Sequence, residues 1–389
     1  MSWDNAKTAG DRFNSARRTL VKMFPWRRRP GKSYQGFIKA LVKRTPWLQR
    51  QVRDQLRRTM QEMAGACWHV AGWLVFAVDG SRFDLPRTEA NECAFGGGGK
   101  GKAGPQLWLT TLWHLGLGLP WAWRIGPGNA SEREHLQQMI QDLPPKSLLV
   151  ADAGFTGYDL LQTLMRDGRS FLIRVGANVR LLEHLGYAMA EEDGIVYLWP
   201  DEKRRAHQPP LVPRLICLRQ GTKNMYLLTN VLDDKALSKK TAKKLYRMRW
   251  GVEVYYRTLK QTMDRRKMRS HAPQQALAEL NWTVMGLWLI GLMSVKAILM
   301  RRGKPQHLSA AQALRLVRAA MAHPRAARRC LMRQLGQAVL DRYRRHRSKK
   351  ARNWPHQKTQ RPPGTPEIRN ASELEVQAAQ RLREQKSAA

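Results

Sequence analysis

Two short, uninterrupted apolar runs in this chain each give way to an aspartate. Trp73-Leu74-Val75-Phe76-Ala77-Val78 runs into Asp79-Gly80, and Ser147-Leu148-Leu149-Val150-Ala151 runs into Asp152-Ala153-Gly154-Phe155. Continuous apolar stretches of this length, bounded by turn residues, are the pattern of strands buried on both faces. Around them, residues 107–115 and 119–125 read as two further strands of a meander, split by Gly116-Leu117-Gly118. Residues 132–143 read as a helix stopped by Pro144-Pro145, residues 157–166 as a second helix and 171–175 as another strand. The resulting β-β-β-α-β-α-β order predicts a layered α/β domain.

Charge narrows what such a domain meets. Lys and Arg number 69 against 30 Asp and Glu, a net charge of +39, while 43% of residues are apolar. The apolar share excludes a wholly disordered chain. A chain this basic repels itself unless it meets a polyanion, which points to nucleic acid. The 14 tryptophans and long apolar runs speak against a ribosomal or histone-like protein. Cys67, Cys93, Cys217 and Cys330 are scattered with no C-x-x-C pair, against a disulfide framework or zinc finger and in keeping with a reducing cytosol. The N-terminus has no apolar core of a signal peptide. Residues 282–300 are apolar enough to suggest a membrane span, but the polar stretch 274–281 before them reads as the start of the same helix. A buried core helix is expected and no membrane partner.

Composition shifts divide the chain into a helical, basic domain over 1–70, with Arg27-Arg28-Arg29, expected to bind DNA, and a first α/β segment over 71–177. A β-rich insertion follows over 178–232, with strands at 179–182, 195–199, 211–218 and 225–231. A helical second segment spans 233–300, helical from Ser238 to 268 and again over 274–300. A basic helical region covers 301–342 and a basic, disordered tail 343–389.

An aspartate at the end of a buried strand is fixed yet reaches solvent. Asp79 and Asp152 could together hold divalent cations through hard oxygen ligands, or each could simply cap a turn. The helix after Ser238 adds Tyr246, Arg249, Trp250, Glu253, Arg257 and Lys260, which fall within an arc of roughly 100° on an α-helix. That face presents one carboxylate among three cations and two aromatics, unlike an apolar core stripe or an evenly mixed salt-bridged face. Three carboxylates carry the charge to hold two metals about 3.5–4 Å apart, which suits in-line displacement at a phosphodiester. Arg and Lys would grip phosphates and an aromatic could stack on an unstacked base.

The spacing Tyr246-x2-Arg249-x3-Glu253-x6-Lys260 resembles the Y-R-E-K signature of bacterial insertion-sequence transposases of the IS-four type. Asp79-Gly80-Ser81 and Asp152-Ala153-Gly154-Phe155 match the family's other two landmarks in order, and the resemblance covers about residues 70–300. It implies a ribonuclease-H-like mixed sheet flanked by helices, with a β-rich insertion and a helical N-terminal domain. It further implies a DDE triad of Asp79, Asp152 and Glu253 holding two Mg2+ ions, with Mn2+ as a possible substitute. Tyr246, Arg249 and Lys260 would contact DNA phosphates near the element end, with Arg257 beside them. Trp250 is open to DNA contact or to packing against the core. Hairpin-forming relatives stack a flipped base on a Trp from the last insertion strand. Here that strand reads Met225-Tyr226-Leu227-Leu228, which leaves Tyr226 as the candidate and hairpin formation open.

The expected activity is cut-and-paste transposition: binding of terminal inverted repeats, cleavage at the element ends and joining of 3′-hydroxyls to target DNA. The expected partners are double-stranded DNA and a second copy in a synaptic homodimer, in the bacterial cytoplasm at the nucleoid. A catalytically silent, transposase-derived DNA-binding protein and a structure-specific nuclease are the rivals. Gly96-x4-Gly101-Lys102 imitates a phosphate-binding loop, but Ala103 stands where Ser or Thr would bind magnesium. His114 and His135 read as structural.

Overall fold

A computed structural model of the chain describes residues 1–96, 104–188, 194–220, 223–323, 330–340 and 363–388. In chain order the elements begin with helices α1 (Ala9–Met23) and α2 (Tyr34–Ala64), strand β1 (Val75–Asp84) and helix α3 (Glu89–Phe95). Strands β2 (Gln106–His114) and β3 (Leu119–Pro127) follow, then α4 (Glu132–Met139), β4 (Leu148–Ala151), α5 (Tyr158–Arg166), β5 (Ser170–Val175) and β6 (Arg180–Glu183). Next come α6 (Asp201–Arg205), β7 (Arg214–Gln220), β8 (Lys223–Thr229), α7 (Lys239–Met248), α8 (Trp250–Arg257), α9 (Pro273–Met300) and α10 (Ala310–Ala322). A short helix Leu331–Leu335, strand β9 (Glu367–Asn370) and a helix Glu373–Ala388 complete the described chain. The main sheet has seven strands in the order β3-β2-β1-β4-β5-β8-β7, parallel and antiparallel pairs mixed, in the expected α/β architecture. The loop that imitates a phosphate-binding motif lies outside the described residues from position 97 to 103.

The chain divides into two units, Met1–Val70 with Asp79–Met139 and Trp250–Asp341, and Ala71–Val78 with Ile140–Arg249 and Arg342–Ala389. In the first, α1 starts where Thr8 caps the Asp11 amide and α2 where Ser33 caps the Gly36 amide. Helix α9 is apolar almost all round, so it has to lie in a core. Asn281 on it accepts from Gln49 of α2 and from the Trp123 indole of β3, each at 2.8 Å. Trp282 donates to Thr45 at 2.9 Å. A Cβ at Gly291 would come within 2.5 Å of Leu119 Cδ2, so the helix lies close on β3 at this point. Although α9 is long and apolar enough to cross a membrane, 67% of its most apolar window is buried inside the protein.

In the second unit, β1 pairs in parallel with β4 from Val75↔Leu148 to Ala77↔Val150, and β4 with β5 from Leu148↔Ser170 to Ala151↔Ile173. These strands are buried on both faces, which explains their unbroken apolar runs. Strand β8 then pairs antiparallel with both β5 and β7.

Three expectations need correction. Strand β1 does not stop at Asp79-Gly80 but continues to Asp84, because Phe83 is fully buried and Asp84 is held by backbone bonds to Arg266 and Met268. Residues 195–199 form isolated bridges and no continuous strand. The tail expected to be disordered over 343–389 instead holds, in its described part, β9 paired in parallel with β6 and then the Glu373–Ala388 helix. What charge counting overlooked is Glu375, whose side chain is 3% exposed and takes both Arg369 and Arg204.

Candidate active site

Asp152 follows directly on β4, in the second unit. One carboxylate oxygen accepts from the Ala153 amide at 2.9 Å, opening the turn Ala153–Phe155. The Tyr246 hydroxyl donates to that same oxygen at 3.1 Å. Arg249 stands 3.6 Å from the other oxygen and Arg174, on β5, 4.0 Å from the first. Asp152 therefore caps a turn and faces two cations at once.

The sequence builds this grip simply. Ser238 caps α7 through the Thr241 amide, and Ala242, Leu245 and Tyr246 form the buried face. Arg249, three residues after Tyr246, keeps helical backbone angles, so both side chains project to one side. Its guanidinium lies 5.6 Å from the centre of the Tyr246 ring. Burial first, and then the Asp152 carboxylate, push the Tyr246 hydroxyl up to about 12, against the pull of Arg249 and Arg174.

Asp79 and Glu253 belong to the first unit. The Tyr256 hydroxyl lies 2.6 Å from the Asp79 carbonyl oxygen and 3.1 Å from that of Leu109, donating into the pair. Tyr256 is one helical turn beyond Glu253, so this bond anchors the turn of α8 that carries Glu253 to the strand that carries Asp79. Burial holds the Tyr256 hydroxyl well above its ordinary range, and the Asp79 and Glu132 carboxylates add to the shift. Gly80 is required beside Asp79: a Cβ there would meet Glu132 Oε1 at 2.5 Å and Trp108 Nε1 at 2.6 Å. The Arg82 guanidinium covers the Trp108 ring at 4.4 Å.

The helix beyond Ser238 is not one uniform α-helix. It passes through Arg249 into α8 and then into a π-turn over Thr258–Thr262. A π-turn resets the angular register, so straight-helix spacing alone does not fix where Lys260 points. Its ammonium lies 5.3 Å from the Phe83 ring centre, and burial lowers its pKa against the opposing effect of Asp84. Trp250 is 55% exposed, which removes core packing from its two open roles. Arg257 is exposed as well.

Among the described residues no three His, Cys, Asp or Glu side chains gather into a cation-holding cluster. Asp79, Asp152 and Glu253 are nonetheless half-buried carboxylates, the hard oxygen donors that suit Mg2+ or Mn2+. The histidines are structural. His114 accepts from the Leu117 amide at 3.1 Å, with its pKa lowered to about 3 by burial, and His135 bonds Thr110 at 2.9 Å.

The description "Transposase DDE domain" matches residues 73–289, more than half of the chain. The chain belongs to the transposase DDE-domain family. It is 29% identical over 257 residues to the transposase InsG of insertion sequence element IS4 from Escherichia coli K12, over 61% of this chain. The match spans 57% of that relative's length. A chain from the cryo-EM structure of a piggyBac transposase synaptic complex with hairpin DNA is similar at a TM-score of 0.38 and 12% identity, over 69% of this chain and 58% of that one.

Within this DDE domain, Arg174, Tyr256 and Glu132 escaped the sequence reading. Arg174 had a signal, since it is a lone cation in the apolar strand Phe171-Leu172-Ile173-Arg174-Val175. Tyr256 lay one turn past Glu253 but looks like ordinary core. Glu132 gave no sign, since its closeness to Gly80 arises only through the fold.

Proposed function

We propose that this chain is a DNA transposase that binds the terminal inverted repeats of its element, cleaves DNA at the element ends and joins the 3′-hydroxyls to target DNA. The observation that carries the reading is the grip of Tyr246 and Arg249 on Asp152, in a chain whose DDE domain retains Asp79 and Glu253.

In this reading Asp79, Asp152 and Glu253 would hold two Mg2+ ions, or Mn2+ in their place. The chemistry supplied is activation of the attacking oxygen and stabilisation of the leaving oxygen at phosphorus. The chain's own residues do the rest. Tyr246 fixes the rotamer of Asp152 and stays protonated at neutral pH. Arg249, Arg257 and Lys260 hold phosphates of the scissile strand, and exposed Trp250 offers a ring to an unstacked base. Tyr256 keeps Glu253's helix against Asp79's strand.

Residues 71–177 and 233–300 form the catalytic core in this account, 178–232 its insertion and 1–70 a DNA-binding domain. Two copies would pair two element ends through the 301–342 region, in the cytoplasm at the nucleoid. The catalytically silent reading differs in one respect, binding without cutting.

The test is incubation of the purified protein with Mg2+ and DNA carrying the element's terminal repeats. Cutting at the ends that vanishes in Asp79→Ala, Asp152→Ala and Glu253→Ala supports the transposase. Binding without cutting supports the silent protein. Cutting of branched DNA with no preference for ends supports a nuclease.

A further inference from the structure

Helix α7 has a second face. Lys240, Lys243, Lys244 and Arg247 are exposed and line one open groove with Met248. At helical spacing the four cations fall within about 100° of one another, on the side opposite Ala242 and Leu245. Lys240, Lys244 and Arg247 therefore point about 100–160° away from Tyr246 and its bond to Asp152, while Lys243, three residues before Tyr246, lies about 60° from it.

The composition of the helix is one-sided. Lys239–Met248 carries five cations and no acid. Among the described residues none of the four groove cations has an ion pair. On the N-terminal side the nearest acids in sequence, Asp233 and Asp234, act on Arg214, and on the C-terminal side the nearest is Glu253, five residues past Met248. Like charges three and four residues apart disfavour a helix, and an anion laid along the row relieves that repulsion. The four charges spread over about 10 Å of helix axis. Duplex DNA presents about six phosphates over that length, counting both strands.

We propose that the outer face of α7 is a second DNA-backbone track, holding duplex phosphates of a segment distinct from the strand that Tyr246 and Arg249 address. This rests on the DNA-transposase reading. The track positions DNA without reading sequence, because ammonium groups on flexible stems contact phosphates as point charges.

The experiment measures binding of a 30-bp duplex lacking the terminal repeats, from roughly 50 to 300 mM salt, to the full chain and to a variant with Lys240→Gln, Lys243→Gln, Lys244→Gln and Arg247→Gln. Four lost phosphate contacts make the plot of log affinity against log salt shallower by roughly 3.6, at about 0.9 per contact. Affinity at low salt falls at least tenfold. Circular dichroism verifies folding, and Lys240→Gln with Lys244→Gln, a milder change, gives about half the slope change. An unchanged slope in a folded variant overturns the proposal while leaving the transposase reading intact. A wild-type chain that binds no duplex at all removes the reading and the proposal together.

Discussion

The Tyr246 hydroxyl donates to the Asp152 carboxylate at 3.1 Å, joining the first residue of the Tyr-Arg-Glu-Lys spacing to an aspartate far away in sequence. Helix α7 and strand β4 meet through that bond and through Arg249, 11% exposed and 3.6 Å from the other carboxylate oxygen. A hydrogen bond to a charged acceptor contributes about 1.5–3 kcal/mol.

Tyr246→Phe removes that bond and keeps the ring. The expected outcome is a folded protein whose end cleavage falls roughly 10- to 100-fold, the range set by about 1.5–3 kcal/mol. Because the folded hydroxyl sits at about 12 against an ordinary 10.0, its stabilising contribution is intact below pH 10 and fades as pH rises through 12. Absorbance titration of the phenol should show no ionisation of Tyr246 between pH 6 and 9. Cleavage equal to wild type in the Phe variant would mean that the bond is incidental.

Gly80→Ala tests how tightly Asp79 is framed. The new methyl meets Trp108 and Glu132 at about 2.5 Å, and the indole has little freedom to yield under Arg82. Overpacking of this kind costs about 1–3 kcal/mol. Chemical denaturation should show that loss, and cleavage should fall with it. A variant as stable as wild type would show that Trp108 moves aside freely.

These two residues also mark where sequence reading stops. The strand-then-aspartate runs around Asp79 and Asp152 were legible because burial on both faces writes an unbroken apolar stretch. Helix α9 was legible as core because residues 274–281 gave it a polar start. The full length of β1 was hidden, since its second half, Asp79–Asp84, is only partly buried and mixes Arg82 with Phe83. The π-turn at Thr258–Thr262 was hidden as well, because nothing in Thr-Leu-Lys-Gln-Thr breaks a helix pattern. Glu132 came near Gly80 only through tertiary packing, which one-dimensional spacing does not encode.

Glu375 decides whether the C-terminal helix stays attached. Its carboxylate takes Arg369 through both oxygens at 2.7 and 2.8 Å and Arg204 at 2.5 Å. Arg369 foremost, helped by Ser372, lowers its pKa to about 2 from 4.5. The stabilisation is therefore complete above pH 4.5 and is lost as pH falls through about 2. Glu375→Gln removes the charge that pairs with Arg369 and Arg204, whose side chains are 47% and 30% exposed, at a cost of about 1–3 kcal/mol. Hydrogen exchange should rise across residues 367–388 while α9 stays protected. Uniform exchange in both regions would show that the helix is held by other contacts.

The central claim is that Asp79, Asp152 and Glu253 act on the same metal ions. Crystals of the protein bound to terminal-repeat DNA, grown with Mn2+, test it by anomalous scattering. The account predicts manganese peaks with carboxylate oxygens of all three residues among their ligands. A manganese peak bonded to one of them alone, or none near them, in a complex that cuts DNA would contradict it.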